Sequence, residues 1–248
     1  MITTVIPVSP IASHPETAIL EETVASVRHW LPDGEIILTF DGVRREQRER
    51  RDDYEEHIRR VLWMADRDWG NVVPFVFDTH QHQTGMMRAV IGEIRTPLLM
   101  YVEADTPLVT DEPIDWEAVT GILESGVSNS VRFHHEAVIP EPHTHMMHGF
   151  DYDGENLNVP FLRTSQYSQR PHVAPVAFYR RILEQFTPDA KSFIEDRMYG
   201  VVRKAQNADG MHGWNQWRLH IYAPQGGNYK RSYHLDGRAG EPKYSQAF

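Results

Sequence analysis

Four short apolar runs, each followed by a segment of helical character, constrain this chain more than any other feature. TTVIPV (3–8), EIILTF (35–40), VVPFVFD (72–78) and LLMYV (98–102) are apolar nearly throughout instead of alternating with polar residues. Continuous runs of this kind fit strands that are buried on both faces. Between the first two, Ile19, Leu20, Val24, Val27, Trp30 and Leu31 recur at helical spacing, and Pro32-Asp33-Gly34 ends the run. Residues 46–68, charged with apolar insertions, read as one long helix, and Gly85 to Ile94 as a short one. Strand–helix alternation of this density predicts an α/β fold with a mostly parallel sheet and right-handed crossovers.

The second half is less regular. WEAVTGILESG (116–126) reads as a helix and VSNSVRFHH (127–135) as a strand. Residues 136–172, rich in His, Pro, Asn, Asp and Gly, read as a hairpin and loops. VAPVAFYRRILEQF (173–186) predicts a strand running into a helix, SFIEDRMYGVVRKA (192–205) a helix, and WRLHIYAP (217–224) a last strand before a polar tail from Gln225. No repeat or linker interrupts the chain, so one domain over 1–248 is the simplest expectation, with halves at about 1–110 and about 111–248.

No stretch approaches the ~18–20 consecutive apolar residues of a membrane span. The N-terminal residues carry no basic region ahead of their apolar run, so no secretory signal is expected, and the absence of cysteine fits a reducing compartment; a cytoplasmic location is the expectation. The lack of cysteine also excludes disulfides, thiolate catalysis and sulfur-ligated zinc. A formal net charge of −10 disfavours general nucleic-acid binding. Arg44, Arg45, Arg48, Arg50 and Arg51 form a local exception, but interleaved Glu46, Glu49, Asp52 and Asp53 make a solvated, ion-paired helix face the simpler reading.

Chemistry gathers where strands end. The second strand ends at Asp41, and the fourth at Glu103-Ala104-Asp105. In open α/β sheets, ligands sit beyond the carboxyl ends of the strands, so these acids should face one crevice. At i and i+2, Glu103 and Asp105 point to the same side if the backbone stays extended. Two carboxylates so placed repel unless a proton or a cation intervenes, and a hard divalent cation, Mn²⁺ or Mg²⁺, suits an oxygen pair.

TTVIPVSP, EIILTFDGV, TGMMRAVIGEIRTPLLMYVEAD, VAPVAFYRRILEQF and SFIEDRMYG, in that order, resemble segments of glycosyltransferases of the GT-A fold, above all the large inverting family 2. The resemblance implies a GT-A-like α/β fold: a mostly parallel nucleotide-binding sheet flanked by helices, with a smaller mixed acceptor-side sheet. It implies a UDP- or GDP-sugar donor, and it places Pro7, Asp41, Arg88, Glu103 and Asp105 against that donor. EAD stands where the family carries its DXD motif. Asp105 would bind the metal directly, helped by Glu103 and by a late histidine, His234. The Glu195-Asp196 pair matches the helix start that carries the catalytic base, with Asp196 as the base. On that mechanism, Lys230 or Arg231 in the tail is expected to fold over the phosphates as a lid. The Gln-x-x-Arg-Trp motif of processive polymer synthases is absent, which disfavours polysaccharide synthesis. The acceptor is left open: a saccharide, a lipid, a protein or a modified nucleic-acid base.

Other classes remain open on the residues alone. His80/His82 and His143/His145 are spaced for metal binding, and HTHMMH with Glu136 or Asp151 could build a histidine-metal hydrolase. No H-E-x-x-H helix supports that reading. His143, His145 and Trp214 are acceptor-side candidates. A nucleotidyltransferase would also use acids to hold Mg²⁺, but SPIASHPETA (9–18) has neither glycine nor a basic residue. A non-catalytic nucleotide-sugar-binding module would keep Asp41 and Asp105 without a base.

Overall fold

The structure is a computed structural model, and it describes residues 1–152, 159–224 and 227–235. Nine strands, numbered in chain order, form one sheet: β1 (Ile2–Val8), β2 (Ile36–Phe40), β3 (Val72–Val76), β4 (Leu98–Tyr101), β5 (Ser130–Arg132), β6 (Met147–Tyr152), β7 (Pro160–Thr164), β8 (His172–Pro175) and β9 (Leu219–Tyr222). Their order across the sheet is β3-β2-β1-β4-β8-β5-β9-β7-β6. β3, β2, β1 and β4 are mutually parallel, as the alternation with helices requires. β8 then runs antiparallel to both β4 and β5, β9 is parallel to β5, and the β6–β7 hairpin closes the far edge. The mixed part of the sheet is thus continuous with the parallel part.

Both faces are covered. Ile6, Leu38, Met100 and Val102 point to one side, against α1 (Ala18–Trp30), α2 (Arg51–Met64) and α4 (Trp116–Glu124). Val5, Ile37, Leu99 and Tyr101 point to the other, against α3 (His82–Val90), α5 (Val176–Leu183) and α6 (Ile194–Asn215). The period of two along each strand therefore feeds two cores, which is why these strands carry no polar face. β3 is the exception. It lies at the sheet edge, with Val73 and Val76 exposed and Pro74 tolerated because an edge strand has one unpaired side.

The expected long helix over 46–68 is instead a 3-10 segment (Arg45–Arg50), α2, and a π turn (Ala65–Trp69) that ends at Gly70 with φ 59°. Arg51–Glu55, Arg59–Glu56 and Arg60–Glu56 pairs line the solvent side of α2, one turn beyond the Glu46, Glu49, Asp52 and Asp53 that the sequence reading paired with the arginine cluster. The strand expected over 127–135 shortens to β5. The helix expected over 192–205 continues to Asn215 with a break at Asp209 and Gly210, where φ of 53° at Gly210 suits a residue without a Cβ. No helix of the described residues is long and apolar enough to cross a membrane.

Candidate active site

Two adjoining clefts open where β1, β2 and β4 end. The first, of about 340 Å³, is lined by residues that include Pro7, Asp41, Arg44, His80, His82, Glu103 and Asp105. The second, of about 750 Å³, is lined by residues that include Arg132, His134, Arg170, Glu195 and Asp196. Gln83, Glu103, Phe193 and His234 line both and so form the shared wall.

Asp41 organises the first cleft through the backbone. Its carboxylate accepts from the N–H groups of Gly42 (2.8 Å), Gln81 (2.6 Å) and His82 (3.0 Å), and its Oδ2 lies 2.7 Å from His80 Nδ1. A carboxylate held by several N–H donors fixes the loop that starts α3. Gly42 is needed for the same closure: a Cβ there would sit 2.2 Å from the Thr79 carbonyl carbon. Burial and the neighbouring Arg44 pull the His82 imidazole down to about 4, so it is neutral at pH 7.

After Val102 the backbone turns instead of staying extended: the Thr106 N–H and Oγ1–H both donate to the Glu103 carbonyl (3.0 and 3.2 Å), and Thr23 Oγ1 donates to the Ala104 carbonyl at 2.7 Å. The expected extended Glu103/Asp105 pair is thereby corrected, because the turn gives each carboxylate its own partner. Glu103 Oε1 accepts from Gln83 Nε2 at 2.9 Å, while Asp105 Oδ2 lies 3.3 Å from His234 Nε2. Withdrawal from water, then the Asp105 and Glu195 charges, push the Glu103 carboxyl up to about 8.

His234 reaches Asp105 because the segment before it is stitched down. Arg231 and Ser232 N–H donate to the His134 carbonyl (2.7 and 3.0 Å), Tyr233 N–H to Pro107 (3.1 Å) and Leu235 N–H to the Asp105 carbonyl (2.7 Å). This corrects the lid expectation. Arg231 is buried, and its guanidinium donates to the carbonyls of Pro113 (3.1 Å), Asn228 (3.2 Å) and Lys230 (2.6 Å), away from both clefts. Lys230 is exposed, bridged by its backbone to His134, and lines neither cleft. Arg88 is also placed elsewhere. It donates to the carbonyls of Leu183 (3.2 Å), Phe186 (3.1 Å) and Pro188 (2.8 Å), capping the chain after α5.

On the far side, α6 presents Glu195 and Asp196 in its first turn. Glu195 Oε2 accepts from Gln169 N–H (2.8 Å) and Ser168 Oγ (3.4 Å), so it holds the 168–169 loop. Asp196 is exposed and lines the second cleft. Gln83 joins the two acids at the wall: besides its bond to Glu103, its Oε1 accepts from Ile194 N–H at 3.1 Å, at the start of α6. Gln83 carries no sequence signal of its own and emerges only from tertiary contacts. Of the acceptor-side candidates, His143 lines the second cleft, His145 does not, and Trp214 is buried with its Nε1–H on the Thr164 carbonyl at 2.9 Å.

The histidine-metal expectation is not assembled: no group of three or more His, Asp or Glu among the described residues could hold an ion. Asp151 instead accepts from Arg163 Nε at 2.9 Å and pairs with His220 Nε2 at 2.9 Å, whose Nδ1 meets Ser128 Oγ at 2.9 Å. Ser128 and His220 are both buried, so this row of Ser, His and Asp ties β9 to its neighbours and offers no exposed nucleophile.

No protein-family model matches the sequence, and no curated protein does. Solved structures do. The chain superposes on S. aureus TarS 1–349 in complex with UDP-GlcNAc with a TM-score of 0.57 at 12% identity, covering 100% of this chain and 62% of that one. For another crystal structure of TarS 1–349 the TM-score is 0.56 at 10% identity, with 95% and 60% covered, and for its UDP complex 0.54 at 11%, with 94% and 60% covered. The chain thus spans about three fifths of the TarS chains that it matches. With the parallel strands, the acidic turn after β4 and the two adjoining clefts, these superpositions show that the chain has a GT-A-like glycosyltransferase fold.

Proposed function

We propose that the chain is a metal-dependent, inverting glycosyltransferase that takes a UDP- or GDP-sugar in the first cleft and an acceptor hydroxyl in the second. The juxtaposition of Asp105 and His234 at 3.3 Å, on the wall between the clefts, carries this reading. Even with Glu103 protonated, the acids Glu16, Asp41 and Asp105 lining the first cleft outnumber its single guanidinium, Arg44. A diphosphate entering there meets a repulsive wall unless a cation intervenes. A carboxylate oxygen and an imidazole nitrogen suit Mn²⁺, or Mg²⁺ with water completing its shell, and two protein ligands leave positions for phosphate oxygens. When bound, the ion neutralises charge on the leaving diphosphate.

The chain's own residues supply the rest. Asp41 fixes the loop over the donor, Gln83 holds Glu103 against the start of α6, and Asp196 faces the second cleft as the base. The acceptor O–H loses its proton to Asp196, its oxygen bonds to the anomeric carbon, and the bond from that carbon to the diphosphate breaks. With base and leaving group on opposite sides of the sugar, a single displacement inverts the anomeric centre. The neighbour solved with UDP-GlcNAc supports the donor class.

Thermal shift against UDP and GDP, with Mn²⁺ and with chelator, tests the donor site; stabilisation that needs both components is expected. Asp105→Ala should abolish metal-dependent stabilisation, and Asp196→Asn should keep it while losing turnover of a sugar nucleotide by at least ~100-fold. Full turnover in Asp105→Ala refutes the assignment.

A further inference from the structure

The second cleft concentrates buried polar atoms that nothing among the described residues satisfies. Arg132 is 5% exposed and makes no ion pair among the described residues. Its guanidinium donates only to neutral oxygens of Gln166, Nη2 to Oε1 at 3.0 Å and Nη1 to the carbonyl at 3.5 Å, and Nε has no partner. His134 is 2% exposed, and neither of its ring nitrogens has a hydrogen-bond partner; the nearest carboxylate, Glu136, lies 3.8 Å away and is itself half exposed. His135 Nδ1 and Gln169 Nε2, in the same lining, are also unpartnered. A second guanidinium, Arg170, lines the same cleft. Burial, with the Arg170 charge behind it, lowers the Arg132 guanidinium to about 10 against the opposing pull of the Glu195 carboxylate, which forms no ion pair with it.

We propose that this cleft recognises an acceptor bearing an anionic group, a phosphate ester or a carboxylate, held by Arg132 and Arg170 with His134 and His135 as further donors. The proposal rests on the glycosyltransferase reading and deepens it by naming the acceptor's class. Buried polar groups are nearly always partnered, so several orphan donors in one cavity ask for a ligand rich in acceptors. Neutral hydroxyls would satisfy the imidazoles but leave the buried guanidinium without an ion pair, whereas an oxyanion answers both its charge and its planar fork. No carboxylate of the cleft pairs directly with Arg132: Glu103 is held by Gln83, Glu195 acts on Arg132 through its charge but spends its Oε2 on the Gln169 N–H and Ser168, and Asp196 is exposed on the first turn of α6. A volume of about 750 Å³ falls within the range for small-molecule sites.

The test is calorimetry on the protein saturated with UDP and Mn²⁺, which fills the first cleft. Glucose 6-phosphate, glucuronate and glucose are titrated in turn, on the wild type, Arg132→Gln and Arg170→Gln. At least one anionic sugar should bind ten or more times tighter than glucose, and the tighter arm identifies phosphate or carboxylate. Either substitution should erase that preference tenfold or more while UDP affinity stays within threefold. If Arg132→Gln loses UDP binding through misfolding, Arg170→Gln, at a half-buried position, decides. Equal binding of charged and neutral sugars by the wild type, or a preference that survives in the folded variants, overturns the proposal. Failure of UDP to bind the wild type would instead sink the glycosyltransferase reading itself.

Discussion

Gln83→Met probes the wall between the clefts at its joint. The substitution nearly conserves volume at a position 7% exposed, so packing changes little. It removes both bonds that the amide makes, the 2.9 Å donation to Glu103 Oε1 and the 3.1 Å acceptance from Ile194 N–H. The bond to Glu103 contributes about 1 kcal/mol net, and the Ile194 N–H left buried without an acceptor costs about 1–3 kcal/mol. The sum is a loss of about 2–4 kcal/mol, with α6 detached at the end that carries Asp196. Urea unfolding reads the stability, and hydrogen exchange at the Ile194 amide reads the local release. Turnover should fall about tenfold or more, because a base displaced by even an ångström costs this much. A stability change below about 0.5 kcal/mol together with unchanged Ile194 protection would refute the role assigned to this side chain.

Four further outcomes follow from the same geometry. In metal-free protein, the Glu103 carboxyl is pushed up to about 8, so the native state holds a proton that the unfolded chain has released; stability should therefore fall as pH rises from about 4.5 to about 8, and Glu103→Gln should flatten that decline in denaturant titrations. Asp151 is held well below the usual carboxylate range by its bonds to His220 and Arg163, so its contribution is present above about pH 4 and lost as pH falls further; Asp151→Asn should reduce acid sensitivity in that lower window. Arg231→Ala should lower stability by about 2–3 kcal/mol by stripping three carbonyls of their donor, yet leave UDP affinity of the folded protein within about threefold, whereas a lid residue would cost far more. His234→Ala should weaken Mn²⁺-dependent UDP binding at least ~10-fold while leaving the Tm without ligand within about 2 °C, since its side chain is one-third exposed.

The sequence alone determined the parallel half of the sheet. Runs such as EIILTF and LLMYV have no polar face, so they fit only strands covered on both sides, and the intervening periodic segments supply the covering helices. It also placed Asp41, Glu103 and Asp105 at strand ends, because strand ends are local features. What it could not settle was direction and partnership. The turn closed by Thr106 sends Glu103 to Gln83 and Asp105 to His234, two contacts across about 20 and about 130 positions of chain that no spacing rule anticipates. Basic residues were the least legible of all. Arg88 and Arg231 look like phosphate ligands in a string of letters, yet both spend their donors on backbone carbonyls, while Arg132, which carried no motif, is buried in the second cleft with no ion pair among the described residues. Apolar periodicity is written locally because burial follows the period of each element, whereas a long cationic side chain is free to satisfy whichever acceptor the completed fold brings within reach.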